Sequence, residues 1–150
     1  MIFYKKIERF KKYIYIQKIF YMERGEKIMD KMQAIKVICR AVRDDLVARY
    51  GKDCLYGTCI EASERICNNL KRHDIDARIV EGWCHYDDAS SCSDRDYDAH
   101  TWVEVTIDGK VLYVDVTADQ FQYYIDEDIP KIIIGEKPYY MKYEEPVTEM

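Results

Sequence analysis

With 150 residues, 48% of them hydrophobic, and 14 tyrosines, the chain is long enough to bury about 70% of its unfolded surface. That apolar content argues against a disordered chain despite 34% charged residues. Six of the 23 Lys/Arg but one of the 28 Asp/Glu fall in residues 1–21, so the net charge of −5 hides an acidic body, which argues against a nucleic-acid partner.

Residues 1–21 set Phe3, Tyr4, Phe10, Tyr13, Tyr15, Phe20 and Tyr21 among lysines, the composition of a helix lying on a membrane surface or an acidic polymer. A second reading is preferred. Arg24-Gly25-Glu26 can be encoded by a purine run of the ribosome-binding type, a few nucleotides ahead of the Met29 codon. Met29 is then the true start and residues 1–28 are a non-native or disordered extension. Residues 29–145 form a single domain, and 146–150 are a frayed tail. No stretch reaches the ~18 apolar residues of a membrane span. No signal peptide precedes the six cysteines (Cys39, Cys54, Cys59, Cys67, Cys84, Cys92), and their spacings form no compact framework. The expectation is a cytoplasmic protein with reduced thiols, with a Cys84–Cys92 pairing as the alternative.

From Asp30 the pattern is helical. Met32, Ile35, Ile38, Cys39, Val42, Leu46 and Tyr50 recur at steps of three and four, with Lys36, Arg40, Arg43 and Asp44 on the other face and Gly51 as the stop. After a short loop at 53–57, Thr58 followed by Glu61 reads as a capping box. A second helix therefore begins at Cys59 and runs to about Arg72, its apolar stripe continued by Ala62, Ser63, Ile66, Cys67 and Leu70. Cys39 and Cys67 are core fillers. A turn at 73–76 leads to a strand over 77–83. Residues 84–98 read as a long, irregular acidic loop; Asp87, Asp88, Asp94, Asp96 and Asp98 are most simply a solvated face, with a lid or a selector for basic substrates as the alternative. Residues 101–107 and 110–116 are the clearest strands, joined by the hairpin signal Asp108-Gly109. Residues 118–121 form a turn and 131–134 a short strand ended by Gly135; Pro138, Tyr139, Tyr140 and Tyr143 pack back as an edge or tail. The fold class is α+β: N-terminal helices, the second bearing Cys59 at its N-terminus, on a small antiparallel sheet.

A cysteine in the first helical turn sits at the positive end of the helix dipole, which favours thiolate. The hairpin supplies it with partners. With a two-residue turn, Trp102 opposes Asp115 and His100 opposes Thr117, so His100, Trp102, Glu104, Tyr113, Asp115 and Thr117 share one face. Thr101, Val103, Val105, Leu112, Val114 and Val116 make up the plainer hydrophobic face. His100 and Asp115 are then diagonal neighbours about 7 Å or less apart at Cβ, within reach of a carboxylate–imidazole hydrogen bond. Cys59, His100 and Asp115 thus form a nucleophile–base–orienter set, and the Cys59 N–H is a natural oxyanion donor.

Four motifs occur in order: Gly57 two residues before Cys59; Ala77-Arg78-Ile79-Val80-Glu81-Gly82; His100-Thr101-Trp102-Val103-Glu104-Val105; and Val114-Asp115-Val116-Thr117. In these the chain resembles, over residues 30–121, the transglutaminase-like superfamily of papain-fold cysteine enzymes. Residues 115–121 are similar to a small, uncharacterised bacterial and phage branch of it. The resemblance implies Cys59 as nucleophile, His100 as base and Asp115 as orienter. Papain-like peptidases place a glutamine before the nucleophile as second oxyanion donor, and residues 53–56 offer none; Tyr56, Trp83 or Gln120 are the substitutes. Trp102 and Tyr113 suit a substrate groove, or equally burial against the second helix.

No cofactor is expected, and Cys84, His85, Cys92 and His100 fit no standard zinc spacing. The function expected is cleavage or transfer of an amide or acyl group through a thioacyl intermediate, peptidase- or amidase-like rather than cross-linking. The partner is a peptide, protein or small acyl substrate, with no nucleic acid and no integral membrane. The alternatives are a thioester-dependent N-acyltransferase and a catalytically silent binding or phage/host-interaction module.

Overall fold

The computed structural model describes residues 28–53, 55–87 and 96–146. The expected extension lies outside them save for Ile28, as do Cys54, Cys92, the middle of the acidic stretch and the tail from Val147.

Helix α1 (Ile28–Tyr50) turns Ala34, Ile35, Ile38, Cys39, Val42 and Leu46 inward. It stops at Gly51, which has φ +84° and donates its N–H to the Val47 carbonyl at 2.8 Å. Arg43 corrects the sequence reading, which put it on the solvent face: it is 5% exposed. It lies four residues after Cys39 and three before Leu46, so helical geometry carries it into the inward stripe. A guanidinium tolerates that position because its terminal nitrogens are paired. Nη1 donates to the Val116 carbonyl (2.8 Å) and Asp119 Oδ1 (2.6 Å), and Nη2 donates to Asp119 Oδ2 (2.8 Å).

Helix α2 (Cys59–Arg72) begins where expected, but not through a capping box. The Thr58 hydroxyl donates to the Leu55 carbonyl (2.6 Å), and Glu61 is held by Arg49 and Tyr50 of α1. The start is set instead by a turn closed from Thr58 N–H to the Leu55 carbonyl (3.1 Å), with Gly57 at φ +82° in its third position. The first helical bond runs from Ala62 N–H to the Thr58 carbonyl (2.9 Å), which leaves the N–H groups of residues 59–61 outside the helical ladder.

Strands β1 (Asp76–His85), β2 (Tyr97–Ile107), β3 (Lys110–Asp115), β4 (Ile133–Gly135) and β5 (Met141–Lys142) form one antiparallel sheet in the order β4-β3-β2-β1-β5. The β2–β3 hairpin has the expected register, Val103 opposite Val114 through Ile107 opposite Lys110. Asp108 (φ +49°) and Gly109 (φ +76°) are both left-handed, as a type I′ turn requires. The supposed loop at 84–98 is shorter than its composition suggests. β1 and β2 stay paired out to His85–Tyr97, taking Cys84 and Asp98 into the ladder, and Trp83 meets Tyr97 edge-on at 5.5 Å. Residues 118–124 close into a 3-10 helix rather than a simple turn, β4 starts at Ile133 rather than Lys131, and the tyrosine-rich tail supplies the edge strand β5.

The sheet carries a core on each face. α2 packs on β1 and β2, α1 packs on α2, and Val103, Val105 and Val114 meet the helical Ile35, Ile38, Ile66 and Leu70. On the other face Trp102, Tyr113, Cys84 and Met141 pack with Phe121, Ile125 and Tyr140. The expectation of Trp102 and Tyr113 against the second helix is therefore corrected: the helices take the valine face, and the 3-10 helix and tail take theirs. Burying each such large side chain contributes about 1.5–3 kcal/mol relative to exposure, so both layers hold the sheet. The class is α+β.

Candidate active site

His100 stands on β2 opposite Gly82, and the β2–β3 ladder stops at Val103–Val114, beyond which the chain turns into the 3-10 helix. Its Nε2 lies 2.6 Å from Asp115 Oδ2, with both side chains buried. Asp115 collects further donors: the Tyr113 hydroxyl to Oδ2 (2.5 Å), Thr117 N–H to Oδ1 (2.9 Å) and the Thr117 hydroxyl to Oδ1 (3.3 Å). Phe121 sits edge-on to the imidazole, ring centroids 5.1 Å apart, and Trp102 lies at 6.1 Å.

Cys59, the first residue of α2, is half-buried, and His100 and Thr101 are the neighbours that act on its thiol. Nε2 is committed to Asp115, so Nδ1 is the ring nitrogen that remains. Gln120 closes the arrangement: its Nε2 is 3.5 Å from His100 Nδ1 and donates to the Thr117 carbonyl (2.9 Å). Its Oε1 accepts Gly57 N–H (3.4 Å). The carboxamide thus joins the turn before Cys59 to the imidazole.

Burial pushes the Cys59 thiol up, but the hydrogen bond and charge of His100 and the hydrogen bonds at Thr101 outweigh it, holding the thiol below its ordinary value. Burial pulls His100 down, and the charge and hydrogen bond of Asp115, then of Cys59, reverse this and raise the imidazole to about 9. Asp115 is pushed up by burial and brought below its usual value by His100, Tyr113 and Thr117. Burial and the adjacent carboxylate hold the Tyr113 phenol protonated, so it stays a donor. All three shifts run toward the charged forms: thiolate, imidazolium and carboxylate.

No protein-family model, curated protein or solved structure matches this chain.

Of the five residues expected at the substrate site, two reach the cluster: Gln120 the imidazole and Tyr113 the Asp115 carboxylate. Tyr56 is 70% exposed and donates its hydroxyl to Asp98 Oδ2 (2.9 Å). Trp83 is half-buried on β1 against Tyr97. Trp102 is fully buried and Tyr113 is 2% exposed, so neither offers a surface to a ligand. A cavity of about 260 Å³ is lined by His85, Tyr86, Asp87, Tyr139, Tyr140 and Lys142, and its described lining includes none of Cys59, His100 and Asp115. Cys39, Cys59, Cys67 and Cys84 are free thiols. Among the described residues no group of three or more His, Cys, Asp or Glu is arranged to hold a metal ion, and no helix is long and apolar enough to cross a membrane.

Sequence reasoning missed the supports. Arg43 ties α1 to Asp119, the neighbour of Gln120, and its helical spacing from Cys39 and Leu46 was a readable signal. Tyr113 and Thr117, each two residues from Asp115, were legible as face-mates of the carboxylate but not as its donors.

Proposed function

We propose that the chain is a cysteine-dependent acyl-transfer enzyme of the transglutaminase-like, papain-fold kind, with Cys59 as nucleophile, His100 as acid–base and Asp115 as orienter. One observation carries the reading: a buried imidazole–carboxylate pair at 2.6 Å beside a half-buried thiol at a helix start, with the imidazole drawing that thiol toward its ionised form. The thiolate attacks the carbonyl carbon of an amide, and the π electrons move to oxygen. The Cys59 N–H, outside the helical ladder, and Gln120 Nε2 are the donors available to that oxyanion. As the C–N bond breaks, the imidazolium gives its proton to the departing amine and a thioester remains on Cys59. Water then attacks the thioester carbon and gives its proton to His100. The acid leaves and the thiolate is restored. Hydrolysis is favoured over transfer because the sequence marks no dedicated amine site.

The test is labelling of the full chain with peptide, amine-directed and thioester acyl electrophiles, read at each cysteine by mass spectrometry. Labelling at Cys59 that Cys59→Ala abolishes is the expected result; total labelling unchanged in that variant refutes the nucleophile assignment.

A further inference from the structure

We infer that Asp98 is the recognition group for a cationic substituent of the acyl substrate, so that the enzyme takes amides bearing an ammonium or guanidinium group close to the scissile carbonyl; this rests on the cysteine-enzyme reading above. Asp98 lies on β2 two residues before His100, and side chains two apart on a strand share a face. It is half-buried, and its carboxylate is held by three donors: the Tyr56 hydroxyl to Oδ2 (2.9 Å), the Tyr86 hydroxyl to Oδ2 (3.4 Å) and Ala99 N–H to Oδ1 (2.9 Å). All three are neutral. Asp45, Glu104, Asp115 and Asp119 each face a cationic partner. Asp98 has no such ion pair among the described residues.

The carboxylate is thus fixed in direction but not neutralised. Tyr56, three residues ahead of Cys59, ties Asp98 to the turn that starts α2, so a cation bound there is held close to the thiol. The charge balance points the same way. In the ion-paired state of the mechanism above, thiolate, imidazolium and the Asp115 carboxylate sum to a single negative charge, and Asp98 adds another with no cationic partner among the described residues. Tyr86 stacks on Tyr124 with ring centroids 4.1 Å apart, which holds the phenol whose hydroxyl reaches Asp98. Selection acts on the acyl donor because the donor must reach the sulfur.

The experiment labels the full chain at Cys59 with three methanethiosulfonates of different charge: 2-(trimethylammonium)ethyl, methyl and 2-sulfonatoethyl. Second-order rates are read at the Cys59 peptide by mass spectrometry. The cationic-to-anionic rate ratio is expected to fall about threefold or more in Asp98→Asn, which keeps an acceptor oxygen for Tyr56 but loses the charge. Asp108→Asn, at the other end of β2, leaves the ratio at its wild-type value. Tyr56→Phe and Tyr86→Phe remove donors but keep the charge, and they retain most of the preference. A ratio unchanged in Asp98→Asn, or lost equally in the two phenylalanine variants, overturns the assignment of Asp98 while leaving Cys59 as nucleophile. Failure of all three reagents to label Cys59 in the wild-type chain overturns the cysteine-enzyme reading on which it rests.

Discussion

Burial opposes the ionised form at Cys59, His100 and Asp115, yet all three are shifted toward the charged state. The reason is mutual: each charge has an opposite charge or a donor acting on it, and His100 and Asp115 are buried. Asp115 anchors the set, since it alone receives the imidazole, a phenol and a backbone N–H. Asp115→Asn keeps the shape but removes the charge that stabilises imidazolium. Labelling of Cys59 at neutral pH should then fall about tenfold or more, one decade for each pH unit by which the thiolate is lost. A second-order labelling rate equal to wild type would show that the carboxylate does not govern the thiol. The diagonal His100–Asp115 relation was legible from the two-residue turn alone. The donors at Tyr113 and Thr117 were not, because sharing a face does not fix where a hydroxyl points.

At the scale of elements, the hairpin was the most legible part of the chain. β-branched residues and Asp108-Gly109 specify one register, and a slip by one residue would turn the valines toward the layer that Trp102 and Tyr113 fill and those large rings toward the helices. The start of α2 was legible in position but not in cause: Thr58 and Glu61 fit a capping box, yet tertiary partners took both side chains. The β1–β2 strands ran past their apparent ends because Trp83, Cys84 and Tyr97 pair across the ladder, which is non-local information. Gly82 shows how closely these strands pack. A Cβ there would lie 2.2 Å from Trp102 Cη2 and 2.5 Å from the Lys142 carbonyl oxygen. Neither neighbour is the free end of a flexible side chain. Gly82→Ala is therefore expected to cost about 1–3 kcal/mol or more, read as a lower midpoint in denaturant unfolding. A midpoint equal to wild type would contradict the packing of Trp102 over β1.

At the scale of the whole molecule, one sheet separates two layers, and the cluster forms where both meet its end. α2 arrives from the valine face and delivers Cys59; the hairpin delivers His100 and Asp115; the 3-10 helix delivers Gln120 from the other layer. Arg43 links them, reaching from α1 to the Val116 carbonyl and Asp119. The helical layer was legible from periodicity. The second layer was not, because residues 118–143 carry short, tyrosine-rich pieces whose burial depends on contacts with Trp102 and Tyr113. The account as a whole rests on Cys59 and His100 sharing a proton as an ion pair. The pH dependence of Cys59 alkylation by a neutral reagent, followed at the Cys59 peptide, tests this directly. The thiolate is the reactive form, so a lowered thiol value moves the rise in rate to lower pH. The wild-type profile should rise with its midpoint below the ordinary thiol value of about 8.5 and change again near pH 9, where His100 gives up its proton. In His100→Ala, with only the hydrogen bonds at Thr101 left to oppose burial, the rise moves back toward or above the ordinary value. A single wild-type transition at or above the ordinary thiol value, unchanged in His100→Ala, would contradict the account.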